Sequence, residues 1–465
     1  MDLKRQRFLV LGLSKSGEAA AKFLLSKGSK VFIYDDVDSE KVNKQAKKLT
    51  DMGATVVEKE VLNETPNYCD GLVLSPGIPI DHPLAVAFKR ARKAVLGETE
   101  LAARGFKGLA IGVTGTNGKT TTVSMIEKIL SEGGLQARAC GNIGSPMIGI
   151  LEEGEETVAV AEISSFQLET LNSFCPHVAV ILNVTEDHLN RHYNMENYVF
   201  LKRKLLKNLT ETEYAVLNYD DPIVRAFADG LKSPVVWFSV KEQVEGAYFS
   251  GGDLYFKEEC ILPSEEMLLS GVHNLQNALA AIACAKILGV STEKIAESLR
   301  GFKGIKHRIE TVACIDGVTY IDDSKGTNVD ATVKAVSNVK TPTILLLGGK
   351  DKGYDYGKLF SSVSAEKVVK AILYGENRYA LLAAAKKNGF SQIYLCPYFE
   401  EAVRLSALLA KEGQTVLLSP ASASFDEFSG YEERGERFVE IVNGFGGVAI
   451  VQPNGADEYS VEETE

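Results

Sequence analysis

Short continuous apolar runs alternate along the chain with stretches in which apolar residues recur at helical spacing. The runs FLVLGL at 8–13 and LAIGV at 109–113 each lead into a glycine-rich turn, after which helical spacing begins. Buried parallel strands are continuous apolar runs because helices cover both faces of their sheet. The pattern therefore predicts an α/β protein built on parallel sheets.

The clearest strand-turn-helix unit lies at 109–134, where LAIGV runs into TGTNGKTTT and an amphipathic helix that ends at two glycines. We expect Leu109, Ile111 and Val113 to be buried in the strand. Gly118 and Lys119 then lie at the helix N-terminus, where backbone N–H groups and a lysine favour an anion. The unit predicts a loop that cradles the phosphates of a nucleoside triphosphate.

This loop is a variant of the strict phosphate-loop pattern, which requires glycine where the chain has Val113, with glycines at 112 and 115 instead. The alternative interpretation is an ordinary strand-to-helix turn. If a triphosphate binds here, Thr120 or Thr121 would offer its hydroxyl to the accompanying Mg²⁺.

The N-terminal residues predict a β-α-β unit whose second strand, VFIYDD, ends in Asp35 and Asp36. Ser14 stands where a dinucleotide fingerprint requires glycine, which disfavours nicotinamide or flavin but still allows a mononucleotide diphosphate. Asp35 could receive a ribose or base, or simply be a solvated strand end. A second turn, Ser75-Pro-Gly-Ile78, would present backbone N–H groups outside the same sheet.

Polar residues also follow apolar strands in the central stretch. Asn142 lies in GNIG, Glu162 closes TVAVAE, and His188 follows NVTED. Ligands of open α/β sheets bind at the carboxyl ends of the strands. Glu162 cannot easily be buried alone and should face a cation. We expect His188 to contact a metal or nucleotide rather than to be an ordinary structural histidine.

Two helices downstream carry further candidates. Lys202 lies among basic residues that could simply be surface cations. Asn274 and Asn277 lie near the start of a helix and could cap it or recognise a purine edge.

A third α/β unit is predicted from about residue 302, where strands such as VTYIDDS and QTVLLS alternate with helices. Its strand ends carry polar clusters at 323–328, 348–352 and 419–426. Residues 446–465 contain five acidic and no basic residues and are predicted to be a flexible acidic tail.

Length, charge and cysteine usage narrow the class of protein. A chain of 465 residues suggests about three domains, which we place at 1–100, 101–301 and 302–445. The net charge of -11 argues against nucleic acid or an anionic membrane as a partner. Seven scattered cysteines are typical of reduced thiols in a cytoplasmic protein. No apolar run is long enough to predict a membrane-spanning helix.

Nine ordered motifs resemble those of the Mur ligases of peptidoglycan synthesis, over residues 1 to about 445: TGTNGKTTT, GNIG, EISSFQLE, NVTEDHL, GVHNLQN, KHRIE, DDSKGTN, GGKDKG and SPASASFDEF. Members that add L-alanine usually have histidine where Asn117 stands, and members that add meso-diaminopimelate carry a D-N-P-R motif that is absent here. Folylpolyglutamate synthases share the middle domain but not the opening GLSKSG and SPGIP. The resemblance is thus greatest to members that add D-glutamate to UDP-N-acetylmuramoyl-L-alanine.

The resemblance implies a Rossmann-like N-terminal domain, a central P-loop domain with a parallel sheet and a Rossmann-like C-terminal domain. It implies ATP, two Mg²⁺ ions and an N-carboxylated Lys202 as cofactors, in a cytoplasmic enzyme expected to be a monomer. The implied nucleotide-binding residues are Gly115, Thr116, Asn117, Gly118, Lys119, Thr120, Thr121, Asn274, Asn277, Arg308 and Asp323. The implied catalytic residues are Lys119, Asn142, Glu162, His188 and Lys202, and the implied metal ligands are Thr120, Glu162, His188 and Lys202.

The resemblance also implies where the substrates, UDP-N-acetylmuramoyl-L-alanine and D-glutamate, would bind. The uridine diphosphate end would contact Ser14, Lys15, Ser16, Gly17, Asp35, Ser75, Pro76, Gly77 and Ile78. The remaining implied substrate residues, in the third domain, are His307, Lys325, Thr327, Lys352, Ser424, Phe425 and Tyr431, among which Lys352 would hold a carboxylate of D-glutamate.

Two other functional classes remain open at this point. A Rossmann oxidoreductase would require a bound nicotinamide, which Ser14 disfavours. A regulatory P-loop ATPase would hydrolyse ATP without dependence on an amino acid, whereas a ligase releases phosphate only when its carboxylate substrate is present.

Overall fold

The structure is a computed structural model that describes residues 3–37, 39–269, 271–351, 355–363 and 366–446. Lys352 and the predicted tail from residue 447 onward lie outside these residues. The chain divides into two compact units, Met1–Phe302 and a second unit that begins at Lys303.

The first unit opens with a five-stranded parallel sheet. Its elements are β1 (Arg7–Leu11), α1 (Lys15–Ser26), β2 (Lys30–Tyr34), α2 (Glu40–Asp51), β3 (Thr55–Val56), α3 (Thr65–Tyr68), β4 (Gly71–Leu74), α4 (Pro83–Arg90), β5 (Ala94–Leu96) and α5 (Glu98–Gly105). The strand order is β3-β2-β1-β4-β5. Because the order reverses between β1 and β4, the turns after these two strands flank a crevice at the carboxyl edge of the sheet.

The alternation of side chains along β1 explains why this sheet has helices on both faces. Phe8 and Val10 pack in one cluster with Leu24 of α1. Leu9 and Leu11 point the other way, into a cluster with the apolar residues of α4. Since both faces are buried, the strand is apolar at every position.

A nine-stranded sheet forms the rest of the first unit. Its elements are β6 (Ala110–Thr114), α6 (Lys119–Glu132), β7 (Ala137–Gly141), β8 (Val158–Glu162), α7 (Ser165–Thr170), β9 (Val178–Ile181), α8 (Leu189–His192), α9 (Met195–Arg203), β10 (Tyr214–Asn218), α10 (Pro222–Arg225), β11 (Val235–Ser239), β12 (Gly246–Ser250), β13 (Asp253–Phe256), β14 (Glu259–Pro263), α11 (Val272–Ile287) and α12 (Thr292–Arg300). The order is β14-β13-β12-β11-β10-β9-β6-β8-β7, with β13 antiparallel to both of its neighbours and the other pairs parallel. The carboxyl end of β6 therefore lies between those of β8 and β9.

The second unit contains a six-stranded sheet in the order β15-β16-β20-β17-β18-β19, in which only the β15–β16 pair of the described strands is antiparallel. Its elements are β15 (Glu310–Ile315), β16 (Val318–Asp322), α13 (Val329–Asn338), β17 (Thr343–Gly348), α14 (Gly357–Ser362), β18 (Val368–Tyr374), α15 (Arg378–Lys387), β19 (Ile393–Leu395), α16 (Phe399–Leu409), β20 (Thr415–Leu418) and α17 (Tyr431–Asn443). The ends of β16, β20 and β17 are adjacent, which brings together the polar clusters that follow them.

The predicted fold class is confirmed: three largely parallel sheets carry helices on their faces. One predicted core residue is wrong, since Leu109 precedes β6 and is 46% exposed. The proposed boundary near residue 100 stays a prediction. Within the described residues, no helix is both long and apolar enough to cross a membrane.

Candidate active site

The turn between β6 and α6 has the backbone of an anion-binding loop. Gly118 precedes α6 with φ of 85°, a left-handed conformation that glycine adopts without strain. The first N–H groups of α6 have no carbonyl partners within the helix, so they and the helix dipole favour an anion at this end. A Cβ at Gly118 would collide with Oδ1 of Asn277, so glycine also allows α11 to approach the loop.

Lys119 folds back over the same loop. Its Nζ donates to the carbonyl oxygens of Gly115 and Thr116, both at 2.9 Å. The ammonium is therefore held beside the turn, where it can form charge-assisted bonds with phosphate oxygens. Thr120 and Thr121 follow in the first turn of α6, and both are buried.

Asn183, which sequence reasoning did not single out, fixes the loop from the segment after β9. Its carbonyl oxygen accepts from the Thr116 N–H at 3.0 Å, and its Oδ1 accepts from the Asn117 N–H at 2.8 Å. Its Nδ2 donates in return to the Asn117 carbonyl at 3.1 Å. The only signal in the sequence is its position as the first polar residue after the apolar run VAVIL.

Lys202 is buried beside the loop rather than exposed among surface cations. Its side chain, on α9, donates from Nζ to Oγ1 of Thr114 at 3.1 Å and to the Gly115 carbonyl at 2.8 Å. Burial, reinforced by the nearby Lys119 ammonium, holds the pKa of the Lys202 amine well below its ordinary value. A neutral amine is a nucleophile, unlike an ammonium.

Glu162 ends β8 directly beside Val113 of β6, and its side chain is buried. Its Oε1 accepts from Nδ2 of Asn142 at 2.8 Å, and the Asn142 N–H donates to the Glu162 carbonyl at 2.9 Å. Within the described part of the chain, Oε2 of Glu162 has no hydrogen-bond partner. A buried carboxylate oxygen without a partner is costly, and a cation would satisfy it.

His188 occupies the left-handed region, with φ of 54°, immediately before α8. Such a conformation is strained for a non-glycine residue and is frequent at functional sites. The imidazole is half exposed, with Nε2 at 3.6 Å from Oδ2 of Asp187 and its ring centroid 4.9 Å from that of Phe166. An exposed imidazole beside a carboxylate can bind a cation.

Neither Asn274 nor Asn277 is the N-cap residue of α11. The residue before the helix is Gly271, which has no side chain, and both asparagines lie inside the first two turns. Oδ1 of Asn277 instead accepts from Oγ1 of Thr122 at 3.2 Å, which ties α11 to the phosphate-loop helix. Recognition of a purine by these asparagines stays a prediction.

The turns after β1 and β4 meet at the crevice of the N-terminal sheet. Oγ of Ser14 lies 3.4 Å from Oγ of Ser75. Asp35 accepts from the Leu13 N–H at 2.6 Å and from the Val37 N–H at 2.9 Å, so both carboxylate oxygens already hold the backbone. Its contact with a ribose therefore stays a prediction. The first turn of α1 contains Lys15, Ser16 and Gly17.

The second turn of this crevice is held by Arg191, another residue that sequence reasoning missed. Its guanidinium donates to the carbonyl oxygens of Pro76, Gly77 and Ile78. Bonds to backbone carbonyls leave no pattern in a sequence, because any residue can supply the acceptor.

In the second unit, two acidic residues follow one another at the end of β16. Asp322 accepts from Nδ1 of His307 at 2.7 Å, and this bond raises the pKa of the histidine. Burial raises the pKa of Asp323 to about 7, although the Ser419 hydroxyl and the Arg308 guanidinium act in the opposite direction. His307, Glu310 and Asp322 come close enough to hold a metal, but their ligand atoms already bond to one another and to the backbone.

Among the third-domain substrate candidates, Lys325 and Thr327 lie in the loop after β16, and Ser424 and Phe425 lie in the loop after β20. Nζ of Lys325 lies 5.5 Å from the ring centroid of Tyr431. Ser424 is buried and Phe425 is exposed, while Thr327 is partly buried. Lys352 is outside the described residues, so its predicted role stays a prediction.

These loops share a support that the sequence did not reveal. The fully buried guanidinium of Arg434, on α17, donates to Oγ and O of Ser324 at 3.0 and 2.9 Å and to the Ser422 carbonyl at 3.1 Å. It therefore links the loop after β16 with the loop after β20.

Three family models match the chain in order. They are the MurD-like N-terminal domain of Mur ligases over 6–97, the Mur ligase middle domain over 113–285, and the Mur ligase glutamate ligase domain over 307–422. The matches cover the phosphate loop, the crevice turns and, in the second unit, the loop after β16 and the loop after β20 as far as residue 422.

Curated relatives extend the similarity over nearly the full chain. A UDP-N-acetylmuramoylalanine--D-glutamate ligase of Pelotomaculum thermopropionicum is 41% identical over 95% of this chain and 98% of its own length. The ligase of the same name from Clostridioides difficile is 40% identical over 95% of this chain and 99% of its own length.

Solved structures with similar folds include UDP-N-acetylmuramate-alanine ligase MurC from Thermotoga maritima, with 19% identity, a TM-score of 0.56 and coverage of 94% of this chain and 99% of that chain. MurF from Acinetobacter baumannii gives 17% identity, a TM-score of 0.58 and coverage of 89% and 91%. At such identities the likeness establishes the fold alone.

Proposed function

The chain belongs to the Mur ligase family, and from that membership we propose that it joins D-glutamate to UDP-N-acetylmuramoyl-L-alanine in an ATP-dependent reaction. The observation that carries the proposal is the set of relatives bearing this ligase's name, which are 40% to 42% identical over 95% of the chain. Their similarity spans the third domain, in which the amino acid would bind.

The chemistry needs a nucleotide because an amine cannot displace oxide from a carboxylate. A carboxylate oxygen of the L-alanyl group attacks the γ-phosphorus of ATP, and ADP leaves. The uncharged amine of D-glutamate then attacks the acyl carbon, the C–O bond to phosphate breaks, and inorganic phosphate and a proton are released. The loop formed by Gly115–Thr121 would bind the triphosphate, with Lys119 stabilising the charge that develops on the transferred phosphoryl group.

The donor set supports Mg²⁺ beside this loop. Oε2 of buried Glu162 has no hydrogen-bond partner among the described residues, so a cation would satisfy it, and Thr120 would share that ion. His188 and a carboxylated Lys202 would hold a second ion, since the buried amine is suited to react with CO₂. When bound, the ions would neutralise phosphate charge as the carboxylate approaches. Asn142, bonded to Glu162, would lie near the reacting carboxylate.

We assign the three stretches 1–100, 101–301 and 302–445 to the UDP-substrate, ATP and amino-acid domains. The crevice turns at 14–17 and 75–78 would seat the uridine diphosphate end. Arg308 and Asp323 would reach the nucleotide, and Asn274 and Asn277 the adenine. D-Glutamate would be held by Lys325, Thr327, Lys352, Ser424, Phe425 and Tyr431, with His307 nearby. We place the enzyme in the cytoplasm as a monomer.

The test supplies ATP, Mg²⁺ and UDP-N-acetylmuramoyl-L-alanine with a panel of amino acids, and identifies products by mass. We expect a product with D-glutamate and none with L-glutamate, because the L-enantiomer would misplace either its amine or its side chain. Phosphate release should require both the UDP substrate and the amino acid. A preference for L-alanine or a diamino acid would refute the assignment of D-glutamate, and phosphate release without either substrate would favour an ATPase instead.

A further inference from the structure

Arg191 connects two parts of the first unit that the proposed reaction requires. On one side, its Nε and Nη2 donate to Oε1 and Oε2 of Glu169 at 2.9 and 2.6 Å, a bidentate pair with both side chains largely buried. The ion pair fixes the plane of the guanidinium, so the remaining N–H groups have defined directions.

The remaining N–H groups of Arg191 donate to the turn after β4. Nη1 donates to the Gly77 carbonyl at 3.2 Å, and Nη2 donates to the carbonyls of Pro76 and Ile78 at 3.4 and 2.8 Å. In a trans peptide the C=O and the next N–H point in opposite directions. Holding the Pro76 carbonyl therefore turns the Gly77 N–H away from Arg191, and the space around Gly77 is open.

The guanidinium is also connected to His188, through the ring of Phe166. Cζ of Arg191 lies 4.9 Å from the ring centroid of Phe166, and the same ring lies 4.9 Å from the His188 imidazole. His192, the last residue of α8, is also held, because its Nδ1 is 3.5 Å from Glu169 and its Nε2 is 3.0 Å from Oγ of Ser165. A shift of the guanidinium would thus be felt by the imidazole through a packed ring.

We propose that Arg191 is a positioning residue that couples the turn at 76–78, which would seat the UDP end of the substrate, to the imidazole of His188. The inference rests on the proposed function, because that function gives the turn and the imidazole their ligands. The position that the turn takes when the UDP substrate binds would be transmitted through Arg191 and Phe166 to the imidazole of His188.

The variant that isolates this role is Arg191→Lys. Lysine keeps a positive charge beside Glu169, but its single ammonium cannot bond the carboxylate and three carbonyls in one plane. The matched control is Arg104→Lys, because Arg104 also pairs through Nε with a buried carboxylate, that of Glu100, at 2.8 Å. If Arg191→Lys fails to fold, Arg191→Met combined with Glu169→Gln removes both charges at once and avoids an unpaired buried carboxylate.

The first readout is calorimetric binding of UDP-N-acetylmuramoyl-L-alanine without ATP or Mg²⁺, at a temperature where thermal melts show folded protein. We expect the Kd to rise about tenfold in Arg191→Lys, the scale set by losing hydrogen bonds from a charged donor. The KM for ATP should change by less than about twofold, since the phosphate loop is not touched. Arg104→Lys should leave both constants unchanged.

The second readout tests the link to His188 through a double-mutant cycle on kcat. We expect the loss caused by Arg191→Lys to shrink strongly when His188 is already alanine, because one effect acts through the other. Additive losses in kcat would overturn the coupling. An unchanged Kd in folded Arg191→Lys would show that Arg191 has a structural role only. Failure of the wild-type protein to bind the UDP substrate or form the D-glutamyl product would instead refute the proposed function, and this result needs no variant.

Discussion

Replacement of Lys202 by methionine tests whether its amine is neutral in the folded protein. The side chain is 1% exposed, and burial with the nearby Lys119 ammonium holds its pKa well below the ordinary 10.5. Between this lowered pKa and 10.5, the unfolded chain therefore binds a proton at this lysine that the folded chain does not bind.

The sign and size of the effect follow from this difference. Because unfolding takes up a proton, the free energy of unfolding rises with pH between the lowered pKa of the folded state and 10.5. One proton contributes at most about 1.4 kcal/mol per pH unit. Methionine has no proton to take up, so the stability of the wild type relative to Lys202→Met should increase with pH by up to about that slope.

The assay is urea unfolding in CO₂-free buffer at a series of pH values from about pH 7 to about pH 9, all below the pKa of 10.5 at which the unfolded lysine loses its proton. Fluorescence of Trp237, the single tryptophan of the chain, reports on the first unit because it lies in β11. The control is Lys294→Met on α12: a hydrogen bond to Glu297 raises the pKa of Lys294, so it is protonated in both states and adds no slope.

Equal pH slopes for the wild type and Lys202→Met would refute the neutral amine. A second measurement then addresses the carbamate: with ¹³C-labelled CO₂, the amine attacks carbon, releases a proton to solvent and should give a carbamate carbon signal by NMR. The signal should be absent in Lys202→Met. Its absence in the wild type would contradict the carbamate but not the lowered pKa.

Three further predictions concern the nucleotide residues. Lys119→Ala should reduce ligation by more than about a hundredfold without lowering the melting temperature, because the ammonium acts on phosphoryl charge rather than on packing. Gly118→Ala should raise the KM for ATP at least about tenfold, since the added Cβ would collide with Asn277. The control is Gly134→Ala, at a similar φ of 91° but in open space, because it measures the effect of backbone strain alone. In the wild type, the second unit should lose stability as pH rises from 3.8 to about 7, because only the folded state binds a proton at Asp323 in that window. Asp323→Asn should abolish this loss of stability, and hydrogen exchange of second-unit peptides measures it.

The parts of the site that the sequence predicted are those fixed by local chemistry. Gly118 and Lys119 could be assigned because a strand, a glycine-rich turn and a helix follow one another within a short segment. Glu162 and His188 could be placed near the loop because carboxyl ends of parallel strands share one edge. The antiparallel strand β13 was not predicted, since alternating residues such as DLYF give a weak signal on their own.

The supports of the site escaped prediction for a common physical reason. Asn183, Arg191 and Arg434 act through hydrogen bonds to backbone groups far away in the sequence. The partner is a backbone N–H or carbonyl group, which nearly every residue has, so no residue type in the sequence identifies it. An arginine in a short helix or a fully buried arginine becomes meaningful only when the fold shows which turns it joins.

The sequence also does not show the hydrogen-bond partners of the residues that it did predict. A residue's position at a strand end does not reveal whether its polar atoms already have such partners. Asp35 follows β2 and Glu162 is the last residue of β8, so both lie at the carboxyl end of an apolar strand. In the folded chain both oxygens of Asp35 accept backbone N–H groups, whereas among the described residues Oε2 of Glu162 has no partner. A satisfied carboxylate stabilises its own turn, while a buried oxygen without a partner gains most from a cation. The packing of β6 against β8 buries Oε2 of Glu162, and burial is what makes an oxygen without a partner costly. Glu162 is therefore the strongest candidate metal ligand.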